Sequence, residues 1–432
     1  MKTVFRFVCM ILCVLLLAGC GGTDDTEQTA TTVVTTVTTA TQASKTVSAT
    51  VTEKVTVTAS ATTEFATEYE TVAPATEAHY NKRIRSSKLD SATGDMRNIT
   101  STELLSDINA GINIGNSLDA CGAGYFSSPD ASETVWGNPQ ITEELIKSIK
   151  KSGFKAIRLP VTWREHIGQP ETYQIDSAWM DRVQEVVDMI LDNGMYCILN
   201  THHEQNWLNT GSNIVETQTE FIAVWKQIAN RFKNYDDYLL FEGFNEILKS
   251  ESDWSTASST DIQNTNILAQ QFVTTVRATG GNNAKRHLIV STYGAGTGYD
   301  IVEGFKVPRD TVKDRLIVEV HTYTPGDFSG VGGGASVSEW NEMAYGTLLE
   351  STLKIVNDKF EPLGVPVIIG EFGAIDKDNT AERVEYVNAM KKYADNYNMV
   401  CFWWDNGKDF RLFNRSSATE AFPQIIDALV KY

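Results

Sequence analysis

The chain has 432 residues, of which 42% are hydrophobic and 10% aromatic, which is enough for a large core and excludes a chain disordered throughout. With 37 Lys and Arg against 55 Asp and Glu the net charge is −18, and so acidic a surface repels phosphate backbones. Nucleic acid is thereby excluded as a partner, whereas a neutral ligand feels no such field.

Residues 1–20 read as an address. Lys2 and Arg6 open a basic start, and an apolar run of export-signal length follows, short for a membrane span. The run ends Leu17-Ala18-Gly19-Cys20, which resembles the bacterial lipobox. That resemblance implies cleavage before Cys20 and lipidation of its thiol, with an ordinary signal peptide or an uncleaved anchor as alternatives. A lipid there would hold the protein at a bacterial membrane face. Residues 21–80 carry 20 Thr, 8 acidic residues and 2 Lys, with Phe65, Tyr69 and Tyr80 as their aromatics. No core forms from that composition, so residues 21–95 are expected to be a Thr-rich extended linker. Against this, Val47, Val51, Val55 and Val57 keep the even spacing of a half-buried strand, which leaves a small β-module open.

From about Ile99 short apolar runs alternate with amphipathic stretches, and residues 96–432 are expected to form the catalytic domain. The runs are Ala110–Asn116, Ala156–Pro160, Tyr196–His203, Leu239–Glu246, His287–Tyr293, Leu316–Tyr323, Pro366–Gly373 and Val400–Asn406. Most are too short for helices and are continuously apolar, the texture of parallel strands buried on both faces. Between them, Thr142 caps a stretch with Leu145, Ile146 and Ile149 on one side. Asp176 opens another, striped with Trp179, Val183, Val186, Val187 and Ile190, which closes at Asn193-Gly194. Phe221 to Ile228, Ile262 to Val276, Leu348 to Val356 and Val384 to Tyr393 mark further helices. Strands alternating with helices over such a length predict an α/β fold, the (β/α)8 TIM barrel. A doubly wound sheet is the rival, and no GxGxxG follows an early strand to support it. Of the six Cys, Cys9, Cys13 and Cys20 lie in the leader. Cys121, Cys197 and Cys401 form no disulfide framework or CxxC pattern, and the last two read as inert core thiols.

In a barrel, chemistry gathers where the strands end. Those ends carry Asn116, Arg158, His202-His203-Glu204, Asn245-Glu246, His321-Thr322-Tyr323, Glu371 and Trp403-Trp404. Each has an ordinary structural reading as an ion-pair partner, a core histidine or a packing ring. Together they describe a polar, aromatic-walled cleft. Two carboxylates, Glu246 and Glu371, suit glycosidic bond cleavage, with one protonating the leaving oxygen and the other attacking the anomeric carbon. Trp and Tyr faces suit the C–H faces of sugar rings.

These segments resemble family 5 glycoside hydrolases (clan A) of the endoglucanase type. The matching stretches are Asn113–Ala120 (NIGNSLDA), Trp136–Pro139 (WGNP), Ile157–Trp163 (IRLPVTW), Leu199–Glu204 (LNTHHE), Phe241–Glu246 (FEGFNE), His321–Pro325 (HTYTP), Gly370–Ala374 (GEFGA) and Trp403–Gly407 (WWDNG). They run in family order over roughly residues 98–432 and are most similar to the subfamily with many rumen and clostridial endoglucanases and xyloglucanases. The resemblance implies a retaining endo-β-1,4-glucanase acting on β-glucan polysaccharide, with Glu246 as acid/base and Glu371 as nucleophile. It implies that Arg158 steadies the nucleophile, Asn245 binds the substrate 2-hydroxyl, Tyr323 touches Glu371, and His321 holds the acid/base side. Trp404 matches a stacking platform, His202 the third strand's histidine and His203 its neighbour, while Asn116 and Trp136 are weaker candidates for substrate contact.

His202, His203, Glu204 and His321 could be drawn as metal ligands, but adjacent residues on a strand point to opposite faces, and no HExxH is present. No metal and no cofactor are therefore expected. Within enzymes, the same machinery could cut xyloglucan, mixed-linkage glucan or mannan, since loops set the choice. The segment Gly326–Ser338 is expected to be a long, flexible loop that shapes it. A surface glycan-binding protein without chemistry is the rival from another class, and the intact carboxylate pair argues against it. A monomer on the cell surface is the expected state.

Overall fold

The computed structural model describes residues 96–431, apart from 123, 125, 252, 255 and 333. The leader, Cys20, the linker and its valine pattern lie outside the described residues.

Eight parallel strands close into one barrel in sequence order. They are β1 (Gly111–Ile114), β2 (Ala156–Leu159), β3 (Tyr196–Asn200), β4 (Leu239–Glu242), β5 (Leu288–Ser291), β6 (Leu316–His321), β7 (Val367–Phe372) and β8 (Val400–Asp405). Each falls inside one of the apolar runs read from the sequence, so the barrel expectation holds and the doubly wound sheet does not. Eight helices follow the strands in turn: α1 (Glu143–Lys151), α2 (Ser177–Asp192), α3 (Ile214–Arg231), α4 (Ser259–Ala278), α5 (Tyr299–Gly304), α6 (Thr347–Phe360), α7 (Thr380–Asn396) and α8 (Pro423–Val430). The predicted caps are in place. Thr142 accepts from the Leu145 amide and Asp176 from the Trp179 amide, while Gly194 takes the left-handed φ of 69° that ends α2.

Alternation along the strands builds two cores. Outward residues such as Leu159, Leu199, Phe241, Val318, Ile369 and Trp403 pack under the helices. Inward residues Ile198, Leu240, Ile289, Ile317, Ile368 and Phe402 fill the barrel's lower half. Gly111 makes room there, because a Cβ on it would lie 2.1 Å from the Phe402 ring. The bottom is closed by a helix the sequence reading missed, Ser101–Ser106, which brings Leu104 and Leu105 into the same inward cluster. Thr100 and Glu103 form a reciprocal capping box at its start.

The next inward layer, two residues further along each strand, is polar: Asn113 on β1, Arg158 on β2, Asn200 on β3, Glu242 on β4, Ser291 on β5 and Glu319 on β6. All of them are buried. This layer is the floor of the site.

The segment after β6 departs from expectation. Gly326–Ser329 is a short helix with Phe328 fully buried. Lys377 donates to the carbonyls of Phe328 and Val337, and Asn379 donates to that of Ser338 at 2.7 Å. The glycines suggested a flexible loop, but cross-links from the loop after β7 pin its two ends.

Candidate active site

Arg158 anchors the floor. Its Nε and Nη2 donate to the two oxygens of Glu242 at 2.7 Å each, Nη1 to Glu371 at 2.6 Å and to Asn113 at 2.9 Å, and Nη2 also to Asn245 Oδ1 at 2.7 Å. Glu319 adds a third carboxylate 3.1 Å from Nε. Burial alone would weaken the Arg158 cation, but Glu242, Glu319 and Glu371 outweigh it and fix the charge. The fork geometry of guanidinium is what lets one cation serve so many acceptors.

Glu371 reaches this position through an irregularity. Ile368 faces the barrel interior, so strict alternation would turn Glu371 outward along with Ile369. The register slips instead: Val320 pairs with Ile369 and His321 with Glu371, and a matching slip separates β7 from β8. The bulge re-aims the carboxyl into the barrel. There Tyr323 donates to its second oxygen at 3.0 Å. Burial pushes Glu371 above the ordinary carboxylate range and Glu246 adds to that, against the pull of His321 and Arg158. Burial and both carboxylates push the Tyr323 phenol up, so it stays a donor.

Glu246 follows β4 on the rim. His321 Nδ1 lies 2.8 Å from its Oε1, and Glu246, His321 and Glu371 each bring one polar atom within 4.8 Å of the others. The Glu246 side chain keeps 19% exposure against 7% for Glu371, so the first is the one open to water. Burial would lower the His321 imidazole, but Glu371, Glu246 and Glu319 prevail and raise it to about 10.

Asn245 spends its Oδ1 on Arg158 and its amide N–H on the Thr201 carbonyl at 2.9 Å, which leaves the side-chain NH2 as the group it can offer a ligand. Trp404 ends β8 with its ring parallel to His202, 5.7 Å between centroids and 4° between planes. His202 and His203 meet edge to face at 4.4 Å. The expectation that they diverge fails because β3 stops at Asn200, so strand alternation no longer governs them. His202 is buried, whereas the His203 side chain is 31% exposed and tilts against Trp136 at 5.5 Å. Trp136 spends its Nε1–H on the Cys121 carbonyl, so only its face remains for contact. Asn116 adopts a left-handed φ of 57°, held by Asp119, which accepts from its amide, and by Asn138, which donates to its carbonyl. Glu204 points away, accepting from the Trp163 amide and the Trp207 indole, and belongs to the loop's own structure.

The sequence reading missed Asn113, Asn200, Glu242 and Glu319. Their signal was a polar residue two positions from an inward apolar one in a buried strand. Asn200 sets the His202 tautomer. The Val161 amide donates to its Oδ1, and its Nδ2 donates to Glu242 at 2.8 Å and to His202 Nδ1 at 3.1 Å, so the ring proton stays on Nε2. Two clusters bring three potential cation ligands together: Asp119, His202 and His203, and Glu246, His321 and Glu371. In the first, His202 Nδ1 already accepts a hydrogen bond from Asn200 and both Asp119 oxygens accept from backbone amides. In the second, His321 Nδ1 is taken up by Glu246 at 2.8 Å, and the surrounding carboxyls favour the protonated ring over the neutral one that a metal needs. Neither suits a metal ion.

The family model for cellulase (glycosyl hydrolase family 5) matches residues 118–410. Endoglucanase A of Ruminococcus albus is 37% identical over 351 residues, 78% of this chain and 94% of the relative. Among solved structures, a GH5-4 broad specificity endoglucanase from Ruminococcus champanellensis with bound cellotriose superposes with a TM-score of 0.74 at 40% identity, covering 78% of this chain and 99% of that one. A GH5 xyloglucan-specific endo-β-1,4-glucanase from a metagenomic library, in complex with cellotriose, does so with a TM-score of 0.72 at 39% identity, covering 76% and 98%.

Proposed function

The chain belongs to glycoside hydrolase family 5 and is a hydrolase of the endoglucanase type, and on that premise we propose that it cleaves internal β-1,4 bonds of soluble β-glucans with retention of configuration. The observation that carries this reading is the approach of Glu246 and Glu371 to within 4.8 Å. Retaining enzymes hold their carboxyls about 5–5.5 Å apart, whereas inverting enzymes leave roughly 6.5–9.5 Å for a water.

The steps follow from the partners of each group. A Glu371 oxygen attacks the anomeric carbon while the bond to the leaving sugar's oxygen breaks and Glu246 gives that oxygen its proton. Arg158 and Tyr323 hold Glu371 in line and leave it little freedom to turn. A water then gives its proton to Glu246 and attacks the same carbon, and the bond to Glu371 breaks and restores the carboxylate. Two inversions give net retention. The Asn245 side-chain NH2, left over by its bonds to Arg158 and Thr201, serves the 2-hydroxyl, where hydrogen bonds strengthen in the transition state. The Trp404 face carries the sugar ring, and the Nε2–H of His202 and the exposed edge of His203 supply hydroxyl contacts, with Asn116 and Trp136 further out.

Xyloglucan is the second substrate reading, favoured by the likeness to a xyloglucan-specific enzyme at 39% identity. The lipobox-like Leu17–Cys20 supports a lipid anchor at Cys20 and a place on the outer face of a bacterial membrane. A reducing-sugar assay of the full chain on carboxymethyl-cellulose, barley β-glucan, xyloglucan and mannan, with Glu371→Gln beside it, tests the function. Activity on a glucan that disappears in the variant is the expected result. Binding without turnover on all four would make the protein a glycan receptor.

A further inference from the structure

Glu319 lies one layer below the reacting carboxyls and touches neither. It is fully buried on β6, with its Oε2 accepting from Ser291 Oγ at 2.8 Å and its Oε1 3.1 Å from Arg158 Nε. Oε1 also lies 3.5 Å from His321 Nε2. Both of those atoms are buried and make no hydrogen bond among the described residues, and Oε1 is the carboxylate oxygen that faces Nε2. The backbone makes space for this carboxyl, since a Cβ on Gly370 would lie 1.7 Å from Oε1. A glycine there keeps Glu319 where it is.

His321 is thus held between carboxylates on both ring nitrogens, with Glu246 at 2.8 Å and Glu371 at 3.7 Å from Nδ1 and Glu319 beyond Nε2. The other titratable or charged groups that act on the cluster include Arg158, Glu242, His202 and Tyr323, beside the Ser291 hydroxyl. A neutral imidazole has one N–H and would face one of these carboxylates with a lone pair. An imidazolium donates toward both.

We propose that Glu319 is a positioning residue that keeps His321 doubly protonated, so that its Nδ1–H is always available to orient Glu246. The proposal rests on the acid/base reading of Glu246 and deepens it. A permanent Nδ1–H donor holds Glu246 Oε1 in one place while the carboxyl gives its proton in the first step and takes one in the second. Glu242 binds Arg158 with two 2.7 Å bonds, and Glu319 shares that cation through Oε1, 3.1 Å from Nε. Glu319 therefore links the Arg158 cation to His321.

Two measurements on the full chain test this. In 15N-histidine-labelled protein at pH 8, the signal lost in His321→Asn should have two protonated ring nitrogens, and in Glu319→Gln it should become that of a neutral ring. In the pH profile of kcat/KM, Glu319→Gln should move the acidic limb to higher pH, because a neutral His321 no longer offsets the rise of Glu371. A neutral His321 at pH 8 in the wild-type protein overturns the proposal even if Glu319→Gln fails to fold. A charged His321 in both proteins with an unchanged acidic limb also overturns it. If instead Glu246→Gln were fully active, the acid/base reading would fall while the His321 signal still reported on Glu319.

Discussion

Nη1 of Arg158 donates to Oε1 of Glu371 at 2.6 Å from the far side of the barrel, joining β2 to a bulge in β7. The same guanidinium binds Glu242 and contacts Glu319, so one buried cation neutralises the floor beneath the reacting pair.

Removing that cation leaves buried carboxylates without compensation. Arg158→Ala should destabilise the fold by about 3–5 kcal/mol, read as a fall in the urea midpoint, and should abolish turnover. Arg158→Lys keeps the charge but loses the fork, so it should recover part of the stability and little of the activity. Full activity in the lysine variant would show that geometry at Arg158 does not matter.

Glu246→Gln should slow hydrolysis of unactivated glucan by roughly 10²–10⁴-fold, the usual worth of a positioned general acid. An aryl β-cellobioside with an acidic phenol as leaving group needs no such proton. Its first step should survive in the variant, seen as a burst of phenol followed by slow turnover. Equal losses on both substrates would mean that Glu246 acts by some route other than proton donation.

The acidic limb of kcat/KM should report Glu371, which must be ionised to attack. Burial raises it, so the limb should fall at a pH above the ordinary carboxyl value of 4.5. Glu246 contributes to that rise. Glu246→Gln should therefore move the limb to lower pH in whatever activity remains. A limb at or below 4.5, or one moving upward in the variant, contradicts this electrostatic account.

Stability should respond to two histidines with opposite signs. His287 receives a bond from Arg315 at 2.8 Å at the barrel's lower end, and burial together with Arg315 pushes it down to about 2. Its contribution is present above the unfolded value of 6.5 and is lost as pH falls toward 2. His321 is raised to about 10, so its contribution is present below 6.5 and is lost as pH rises toward 10. Compared with the wild-type protein, His287→Gln should flatten the acid side of a plot of urea midpoint against pH, and His321→Gln the alkaline side. The reverse assignment would overturn both readings.

The barrel was legible because each parallel strand, buried on both faces, announces itself as a short apolar run, and because the strand ends carry the polar residues. Glu246, Asn245, Arg158, Tyr323 and Trp404 stand where that reasoning put them. Glu371 was legible as a residue but not in its aim, since only the slip between Val320 and His321 turns it inward. The meeting of His202 with His203 escaped a rule that holds only inside a strand. Glu242 and Glu319 escaped because a carboxylate inside an apolar run declares its partner only when the barrel closes. The pinning of Gly326–Ser338 depends on Lys377 and Asn379, some forty residues away, which local composition does not reveal.

The central claim is retention through Glu371, and the anomeric configuration of the first product tests it most directly. Proton NMR of a cello-oligosaccharide digest should detect the β-anomer at the new reducing end first, with the α-anomer growing in only by mutarotation. Initial release of the α-anomer would mean inversion, and would contradict the mechanism drawn from the approach of Glu246 and Glu371 to within 4.8 Å.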